Sequence, residues 1–454
     1  MRKINIAKRI KICFKPNDVR CVAGLELDEE IAYKTARAFV AFLKAKEVLV
    51  GHDMRLSSHK LRDAFVKGVL EQGASVTDIG EIDSPGLYFA SGFLKKPAAM
   101  ITASHNPAKY NGIKLVRKHA IPVGESSGLL KIRSLVEKNK FPSSKSRGKI
   151  KKKNFSREYV KHVRSFVSTK RIKGLKIVVD GGNGMAGKIV PIVYKNLKVK
   201  IIPLDFKLDG TFPNHEANPA KLENIRDLRK KVVETKSDFG IAFDGDMDRV
   251  FFVDEKGRAV SSSVIAALIA KHLCLNHKES VVYNLVMSRI VPLTVKKYGG
   301  VPIKEKVGHY FIKARMRKTK AIFGCEHSAH YYYKNNFYAD SGVISSLKIV
   351  EIASLAKQDG KKFSEIIKEF QVYSQTPEIS MEEKNKTIIL KKVENFYKGW
   401  AGKVNKLDGL TVNFKDWWFN VRTSNTEPLL RINAEAKNEK MLKEKLNGLM
   451  KIIK

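Results

Sequence analysis

The stretch DFGIAFDGDMDRVFFVDEKG (residues 238–257) joins a short apolar run to a dense group of carboxylates. The run GIAF (240–243) has the length and composition of a buried β-strand. Three aspartates, Asp244, Asp246 and Asp248, follow it at intervals of two residues. On an extended loop alternate side chains face the same way, so this spacing predicts that the three carboxylates converge. Clustered negative charge is costly unless a cation neutralises it, and an all-oxygen ligand set favours Mg²⁺.

An EF-hand calcium loop and a solvated acidic turn are the alternatives for this stretch. Glu255 stands at the twelfth position, where an EF-hand uses a bidentate glutamate. The sixth position, however, is Arg249 where the calcium loop needs glycine, and the preceding element is a predicted strand. The pattern therefore favours a magnesium site at the end of a strand.

Strands of this kind alternate with helices along most of the chain. Helices are predicted at 29–46, 59–73 and 342–358, and strands at 47–51, 98–102, 280–286 and 320–326. LKIVVDGGNG (175–184) is predicted as a strand that runs into a Gly-rich turn. In the first of these helices Ile31, Ala38, Phe39 and Phe42 share one face, and Glu29 and Glu30 suit its positive N-terminal end. Alternation of this type predicts α/β layers.

The C-terminal segment has a different pattern. It contains four predicted strands: TIILKKV (387–393), LTVNF (410–414), WWFNVRTS (417–424) and LLRINAEA (429–436). A final helix aligns Leu442, Leu446, Leu449 and Ile453 at helical spacing. An α+β domain is expected here.

The chain of 454 residues is too long for a single hydrophobic core. This length suggests three or four domains. The pattern along the chain places boundaries near residues 150, 258 and 370, which gives domains at residues 1–150, 151–258, 259–370 and 371–454. The basic run KSRGKIKKK (145–153) follows Pro142-Ser143-Ser144 and is interpreted as a linker between the first two.

The formal net charge of +40 favours anionic partners. The lysines are spread along the whole chain and no nucleic-acid-binding motif accompanies them, so we attribute the charge to a general lysine bias and do not expect nucleic-acid binding.

No apolar run approaches the ~20 residues of a membrane helix, and the basic N-terminal segment lacks the apolar stretch of a signal peptide. The four cysteines form no CxxC pair. These features favour a cytoplasmic protein with reduced thiols.

The stretch ITASHNPAKYNGIKL (101–115) predicts a second functional loop. A buried strand ends at Thr102, and Ser104-His105-Asn106-Pro107 then turns sharply, because proline removes a donor and restricts the residue before it. A serine on such a loop is expected to be exposed, with His105 beside it and Lys114 ten residues further on. A surface turn with a capping serine is the alternative, whereas a serine hydrolase is disfavoured because G-x-S-x-G is missing.

Two later stretches are rich in polar groups. GCEHSAHYYY (324–333) places Glu326, Ser328 and His330 directly after a strand, which suits the binding of sugar hydroxyls but is equally compatible with an edge-strand cluster. FNVRTSNTEPLLRIN (419–433) offers a guanidinium, hydroxyls and backbone N–H groups in one turn, a combination that can bind phosphate. A plain polar turn between strands is the alternative. DGGNG (180–184) does not meet the dinucleotide pattern and is interpreted as a structural turn.

Taken together and in this order, these loops resemble the α-D-phosphohexomutase family, which includes the phosphomannomutases and phosphoglucomutases. The motifs TASHNP, DGDxDR and RxSNTEP carry the resemblance, with support from DGTFPNHEANP (209–219) and VGHYFIKARMR (307–317). The match runs from Phe14 to the last strand and is closest to bacterial and archaeal phosphomannomutases. It implies four domains around a central cleft: three related α/β domains and a smaller α+β C-terminal domain.

The resemblance also implies the site residues. Ser104 would carry a phosphoryl group, and with Asp244, Asp246 and Asp248 it would hold Mg²⁺. The other catalytic residues would be Arg20, His105 and Lys114. The substrate-binding residues would be Arg249, His309, Glu326 and Ser328, with Arg422, Ser424, Asn425 and Thr426 at the phosphate that is not transferring.

The implied enzyme is an isomerase that moves a phosphoryl group between C6 and C1 of a hexose, with mannose favoured over glucose. Hexose 1,6-bisphosphate would be the intermediate and an activator, and sugar phosphates would be the partners. Two alternatives stay open: a phosphoglucosamine mutase, a branch that usually has EQSGH where this chain has EHSAH, and a non-catalytic protein that binds nucleic acid. Asn17, Cys21 and Val286 depart from the family pattern, which is expected to affect substrate preference and phosphate affinity more than catalysis.

Overall fold

The computed structural model describes residues 5–142, 144, 146–275, 277–383, 385–399, 402–423 and 429–453. The chain forms two compact units. One comprises Met1–Ser261 with Ser328–Ile366, and the other comprises Ser262–His327 with Ile367–Lys454.

The first unit begins with a mixed sheet and its helices. In chain order these are α1 (Ile6–Cys13), β1 (Val19–Val22), α2 (Glu29–Leu43), β2 (Glu47–His52), α3 (Ser58–Glu71), β3 (Ser75–Glu81), α4 (Ser84–Leu94), β4 (Ala98–Ile101), β5 (Tyr110–Arg117), β6 (Ile121–Pro122), α5 (Leu129–Lys138) and β7 (Ile150–Lys152). The strand order is β1-β5-β4-β2-β3-β7, with β6 paired to β5. Strands β4, β2, β3 and β7 run parallel, and β5 runs antiparallel to both of its neighbours β4 and β1. The basic run interpreted as a linker therefore contains an edge strand, β7.

Local sequence explains α2, the helix predicted at residues 29–46. The side chain of Asp28 accepts a hydrogen bond from the backbone N–H of Ile31, which caps α2. Ile31, Ala38 and Phe39 are buried, as their helical spacing predicts. The helix ends at Lys44, which adopts a left-handed conformation.

A second α/β layer completes most of the first unit. Its elements are α6 (Ser156–Arg164), β8 (Lys173–Asp180), α7 (Ala186–Val193), β9 (Lys198–Leu204), α8 (Arg226–Glu234), β10 (Phe239–Phe243), β11 (Val250–Asp254) and β12 (Ala259–Val260). The strand order is β12-β11-β10-β8-β9, in which β8 runs parallel to β9 and β10, and β11 runs antiparallel to β10. Every residue of β10 is buried, as expected for a central strand. The acidic loop, residues 244–249, follows directly from the end of β10.

The next segment contributes to both units. The second unit receives α9 (Ser262–Cys274), β13 (Ser280–Asn284), α10 (Ile290–Lys297), β14 (Val301–Glu305), α11 (His309–Thr319) and β15 (Phe323–Cys325). There β13 pairs in parallel with β14 and β15. The first unit receives β16 (Tyr331–Tyr333), β17 (Ala339–Asp340) and α12 (Gly342–Gln358), and β16 pairs antiparallel with β17. A short helix, α13 (Phe363–Lys368), follows.

The C-terminal segment is an antiparallel sheet with two helices. Its elements are β18 (Ser374–Gln375), β19 (Ile379–Glu382), α14 (Lys386–Tyr397), β20 (Lys403–Asn405), β21 (Leu410–Asn413), β22 (Trp417–Thr423), β23 (Leu429–Ala436) and α15 (Glu439–Ile453). The strand order is β18-β23-β22-β21-β20, with β19 also on β23. The prediction of a strand at TIILKKV (387–393) is wrong, because this stretch lies in α14. Ile389, Val393 and Tyr397 recur at intervals of four and are buried in the core of this sheet, so packing overrides the strand preference of the β-branched residues.

Two further features concern the environment of the chain. None of the helices in the described residues is long and apolar enough to cross a membrane. Cys13, Cys21, Cys274 and Cys325 are free and buried.

Candidate active site

Ser104 occupies a strained turn directly after β4. Its φ of 52° lies in the left-handed region, which a residue with a side chain rarely adopts. The turn is held by hydrogen bonds from the backbone N–H of Ser104 to Thr102 Oγ1 (2.9 Å) and from the N–H of Asn106 to the carbonyl of Ala103 (3.0 Å). The prediction that Ser104 is exposed is wrong, because only 4% of the residue is accessible.

The acidic loop covers this serine. Gly245 lies so close that a Cβ atom at this position would stand 2.6 Å from the carbonyl oxygen of Ser104. Any other residue would push the two loops apart, since real Cβ atoms do not approach backbone oxygen so closely. The glycine of DGDMD is therefore required for the contact between the serine turn and the acidic loop.

The three aspartates of the loop converge. Asp244, Asp246 and Asp248 are buried, and one carboxylate oxygen from each lies within 4.8 Å of the others. The spacing argument assumed an extended loop, but the loop is a tight turn. The N–H of Met247 donates to the carbonyl of Asp244 (3.1 Å), and Met247 has a φ of 61°, so a tight turn brings the carboxylates together.

Hydrogen bonds join these carboxylates to the serine and to two cations. Ser104 Oγ donates to Asp244 Oδ2 at 2.9 Å, and Arg249 Nε donates to the same oxygen at 2.9 Å. Lys114 Nζ donates to Asp246 Oδ2 and to Asp248 Oδ2, at 2.6 Å in each case. The serine hydroxyl thus belongs to a cluster of buried, charged groups.

Burial and neighbouring charges shift the pKa values in this cluster. Burial, and then the Asp248 carboxylate, raise the pKa of Asp244 to about 7. Burial opposes the charge of Asp248, but Lys114 and His330 outweigh it and hold the pKa of Asp248 well below its usual range. Burial and the positive charges nearby lower the pKa of His105 well below its usual value, so its ring is neutral.

The cluster fits a divalent cation. Oδ1 of Asp246 is buried and accepts no hydrogen bond within the described part of the chain. A buried carboxylate oxygen without a partner is costly, and a bound cation would satisfy it. Three carboxylates and one hydroxyl form an all-oxygen set of the kind that binds hard divalent ions. The cluster can therefore hold a metal ion.

Two further predicted catalytic residues lie at the serine turn. Arg20 Nη1 donates to the carbonyl of Ala103 (3.3 Å) and to Asn106 Oδ1 (3.0 Å), while Nη2 donates to Asp18 (2.5 Å). Burial opposes the charge of Arg20, but Asp18 outweighs it and raises the pKa of the guanidinium. His105 Nδ1 lies 3.3 Å from Ser104 Oγ.

Two residues that the sequence analysis did not connect with the three aspartates, Ser84 and His330, contact their carboxylates in the structure. Ser84, at the start of α4, donates from Oγ to Asp246 Oδ2 at 2.5 Å. His330 Nε2 lies 3.3 Å from Asp248 Oδ1, and its Nδ1 lies 2.8 Å from Ser328 Oγ. His330 thereby connects Ser328, a predicted sugar-binding residue, to the acidic loop. The polar cluster around His330 was visible in the sequence, whereas Ser84 begins an apolar helix that gives no such signal.

The DGGNG turn supports the acidic loop. The N–H of Met185 donates to the carbonyl of Gly245 (3.0 Å), and a Cβ atom at Gly184 would stand 2.8 Å from the same oxygen. Asp180, the first residue of the turn, pairs with His215 Nε2 at 3.2 Å. Burial opposes the charge of His215, but Asp180 outweighs it and raises the pKa of His215 to about 9. The interpretation as a structural turn agrees with these contacts.

The remaining predicted residues belong to the second unit. Glu326 is buried and accepts hydrogen bonds from the N–H of Gly308 (2.9 Å) and from Asn284 Nδ2 (3.4 Å), and His309 begins α11. Ser424, Asn425 and Thr426 lie outside the described residues.

Arg422 is placed in β22 of the same unit and is 5% exposed. Its Nη1 donates to Asn433 Oδ1 at 3.0 Å, and its Nη2 pairs with Glu378. Arg431 pairs with the second oxygen of the same carboxylate. Two arginines, one on β22 and one on β23, therefore share the carboxylate of Glu378.

Four family models match the chain in succession. They describe the phosphoglucomutase/phosphomannomutase α/β/α domains I, II and III at residues 11–143, 157–257 and 261–373, and the C-terminal domain at residues 378–448. The chain belongs to the phosphoglucomutase/phosphomannomutase family. The predicted fold class, three related α/β domains followed by a smaller α+β domain, is confirmed.

Individual relatives agree with this assignment. The chain is 39% identical to a phosphomannomutase of Vibrio cholerae over 455 aligned positions, which cover 97% of the chain and 98% of that protein. It is 35% identical to a phosphomannomutase of Methanocaldococcus jannaschii, with 97% of each chain covered. A crystal structure of a phosphoglucomutase/phosphomannomutase family protein from Burkholderia thailandensis matches with a TM-score of 0.88 at 27% identity, covering 99% of this chain and 97% of that one. The resemblance to bacterial and archaeal phosphomannomutases is thereby confirmed.

Proposed function

We propose that this protein is a phosphohexomutase that interconverts hexose 6-phosphate and hexose 1-phosphate, with mannose as the preferred sugar and glucose as a second substrate. The observation that carries the proposal is the placement of Ser104 Oγ 2.9 Å from Asp244 Oδ2, inside a buried group of three carboxylates. A hydroxyl in this position can carry a phosphoryl group next to a cation. Similarity to named phosphomannomutases supports mannose as the sugar.

The proposed metal is Mg²⁺, held by Asp244, Asp246, Asp248 and an oxygen on Ser104. When bound, it would neutralise charge on the transferring phosphoryl group. Lys114 contributes a fixed positive charge at the same place, since it already contacts two of the carboxylates.

The reaction would proceed in two transfers. In the first, the P–O bond to Ser104 breaks and a P–O bond to the free sugar hydroxyl forms, which gives hexose 1,6-bisphosphate. The neutral ring of His105, 3.3 Å from Ser104 Oγ, would take up the proton of the attacking sugar hydroxyl and pass it to the departing Ser104 oxygen. Arg20 fixes the turn through its hydrogen bond to the carbonyl of Ala103. In the second transfer the other phosphate returns to Ser104. Phosphate is conserved over the cycle, and added hexose 1,6-bisphosphate would act as an activator by phosphorylating Ser104.

The substrate contacts follow the predicted assignment. Arg249 would contact the transferring phosphoryl group, and His309, Glu326 and Ser328 would bind the sugar. Arg422, Ser424, Asn425 and Thr426 would bind the other phosphate. Support comes from the buried guanidinium of Arg422, which already pairs with an anionic group.

Three further assignments complete the proposal. We place domain boundaries near residues 150, 258 and 370. The four free cysteines support a cytoplasmic location. Sugar phosphates, and not nucleic acids, are the proposed partners, and salt-sensitive retention of RNA by the purified protein would contradict this.

The test is a coupled assay on mannose 1-phosphate, glucose 1-phosphate and glucosamine 1-phosphate with Mg²⁺. The expected order of kcat/KM is mannose, then glucose, then glucosamine. A preference for glucosamine 1-phosphate would favour the phosphoglucosamine mutase alternative. Absence of turnover on all three would refute the proposed function.

A further inference from the structure

A fully buried arginine, Arg55, lies beneath the serine turn. Its guanidinium donates four hydrogen bonds, all to backbone carbonyls of the turn and of the residue that begins β5. Nη1 contacts the carbonyls of Pro107 and Tyr110 at 3.0 Å each, and Nη2 contacts those of Ser104 at 2.8 Å and Asn106 at 2.5 Å. One side chain therefore holds the whole turn from Ser104 to Tyr110.

Other groups hold Arg55 itself in place. Asp53 Oδ1 accepts hydrogen bonds from the backbone N–H of Arg55 (3.0 Å) and from Ser58 Oγ (2.6 Å), and Asp53 Oδ2 lies 3.4 Å from Arg55 Nε. The ring of Phe212 lies 4.9 Å from the guanidinium carbon. Arg55 and Asp53 are both 0% exposed, so neither exchanges these contacts for water.

The contact with the Ser104 carbonyl affects the reacting residue directly. A left-handed conformation is unfavourable for a residue other than glycine, so Ser104 keeps its φ of 52° only while its surroundings enforce it. The hydrogen bond from Arg55 fixes the carbonyl of this same residue, and that oxygen is the atom against which Gly245 packs. Arg55 thereby sets both the conformation of Ser104 and its approach to the acidic loop.

We propose that Arg55 is a positioning residue for phosphoryl transfer. It does not contact the hydroxyl of Ser104, but it fixes the backbone from which that hydroxyl projects toward Asp244. This inference rests on the proposed function. A planar guanidinium can satisfy four diverging carbonyls, whereas the ammonium of lysine has three donors around one atom and cannot reproduce the fork.

The test compares Arg55→Lys with wild type in steady-state kinetics and in single-turnover transfer from enzyme phosphorylated on Ser104. Because a displacement of about 1 Å at a reacting group can cost about 100-fold in rate, kcat and the transfer rate should fall by about that factor. KM should change by less than about threefold, since the substrate-binding residues are untouched. The matched control is Arg62→Lys, which alters an arginine of α3 that pairs with Asp78 at 2.6 Å, and it should keep wild-type rates.

A second variant keeps the test decisive if Arg55→Lys does not fold. Asp53→Asn preserves the shape of the side chain but removes the charge that orients Arg55, and kcat should fall by about tenfold with KM unchanged. Wild-type kcat in the folded variants, or an effect on KM alone, would overturn the role of Arg55. A wild-type protein without mutase activity would instead overturn the proposed function, and the role of Arg55 with it.

Discussion

Replacing Asp246 by asparagine should weaken Mg²⁺ binding while leaving the fold intact. Asparagine keeps the shape of the side chain and an acceptor oxygen for Ser84, but it removes one of three negative charges. Lys114 retains its contact with Asp248 at 2.6 Å, so its ammonium is not left buried without a partner. The change therefore tests the charge of the site and not its packing.

The size of the effect follows from the charges involved. Two unit charges about 4 Å apart attract by about 4 kcal/mol at an effective dielectric constant of 20, and a divalent ion doubles this gross value. In the wild type, part of the gain is offset because the ammonium of Lys114, whose Nζ lies 2.6 Å from Asp246 Oδ2, repels a cation bound at the same carboxylate. A net loss of about 1.4–2.8 kcal/mol remains, which corresponds to about 10- to 100-fold in Kd.

Isothermal titration with Mg²⁺ and the Mg²⁺ dependence of turnover measure this loss. Asp227→Asn is the matched control, because Asp227 lies on α8 with a side chain that is 62% exposed, and its removal should leave Mg²⁺ affinity unchanged. If Asp246→Asn bound Mg²⁺ as tightly as the wild type, the acidic loop would not be the metal site. Normal turnover after complete chelation of divalent ions would refute the same reasoning.

Three further predictions concern substrate binding and stability. Arg422→Ala should raise KM for mannose and glucose phosphates by a similar factor of about 30-fold or more, because losing one partner of a buried charged pair costs about 2–5 kcal/mol. An unchanged KM in this variant would exclude Arg422 from the phosphate site. Glu326→Ala should impair sugar recognition and leave Mg²⁺ affinity unchanged. His215 pairs with Asp180 and has a folded pKa of about 9, above its unfolded value of 6.5, so its stabilising contribution is complete below pH 6.5 and is lost as the pH rises through about 9. The melting temperature of the wild type should therefore fall more steeply over this window than that of His215→Gln, and parallel curves would contradict the ion pair.

Local sequence patterns were sufficient to predict where chemistry-bearing loops follow strands. The apolar run before Asp244 and the proline after Ser104 mark strand ends, and both loops lie where expected. Convergence of the three aspartates was also predicted, but from the wrong geometry. Met247 closes the turn in a left-handed conformation, and methionine is not a residue type from which this conformation can be predicted.

Features that depend on distant parts of the chain could not be predicted in this way. Ser104 and Asp244 are 140 positions apart, so the burial of the serine beneath the acidic loop is a tertiary effect without a local signal. The same holds for Arg55, whose four carbonyl partners begin 49 positions further on. In α14, Ile389 and Val393 stand four residues apart and share a buried helix face, but the local run of β-branched residues favoured a strand.

The most direct test of the proposed mechanism is to follow the phosphoryl group on Ser104 itself. Enzyme carrying ³²P-phosphate would be mixed with unlabelled mannose 1-phosphate and quenched at successive times, with peptide mass spectrometry to locate the modified residue. The mechanism predicts that the label starts on Ser104, moves into mannose 1,6-bisphosphate no more slowly than kcat, and that Ser104→Ala has neither label nor turnover. Label on another residue, transfer slower than turnover, or an active Ser104→Ala enzyme would contradict it.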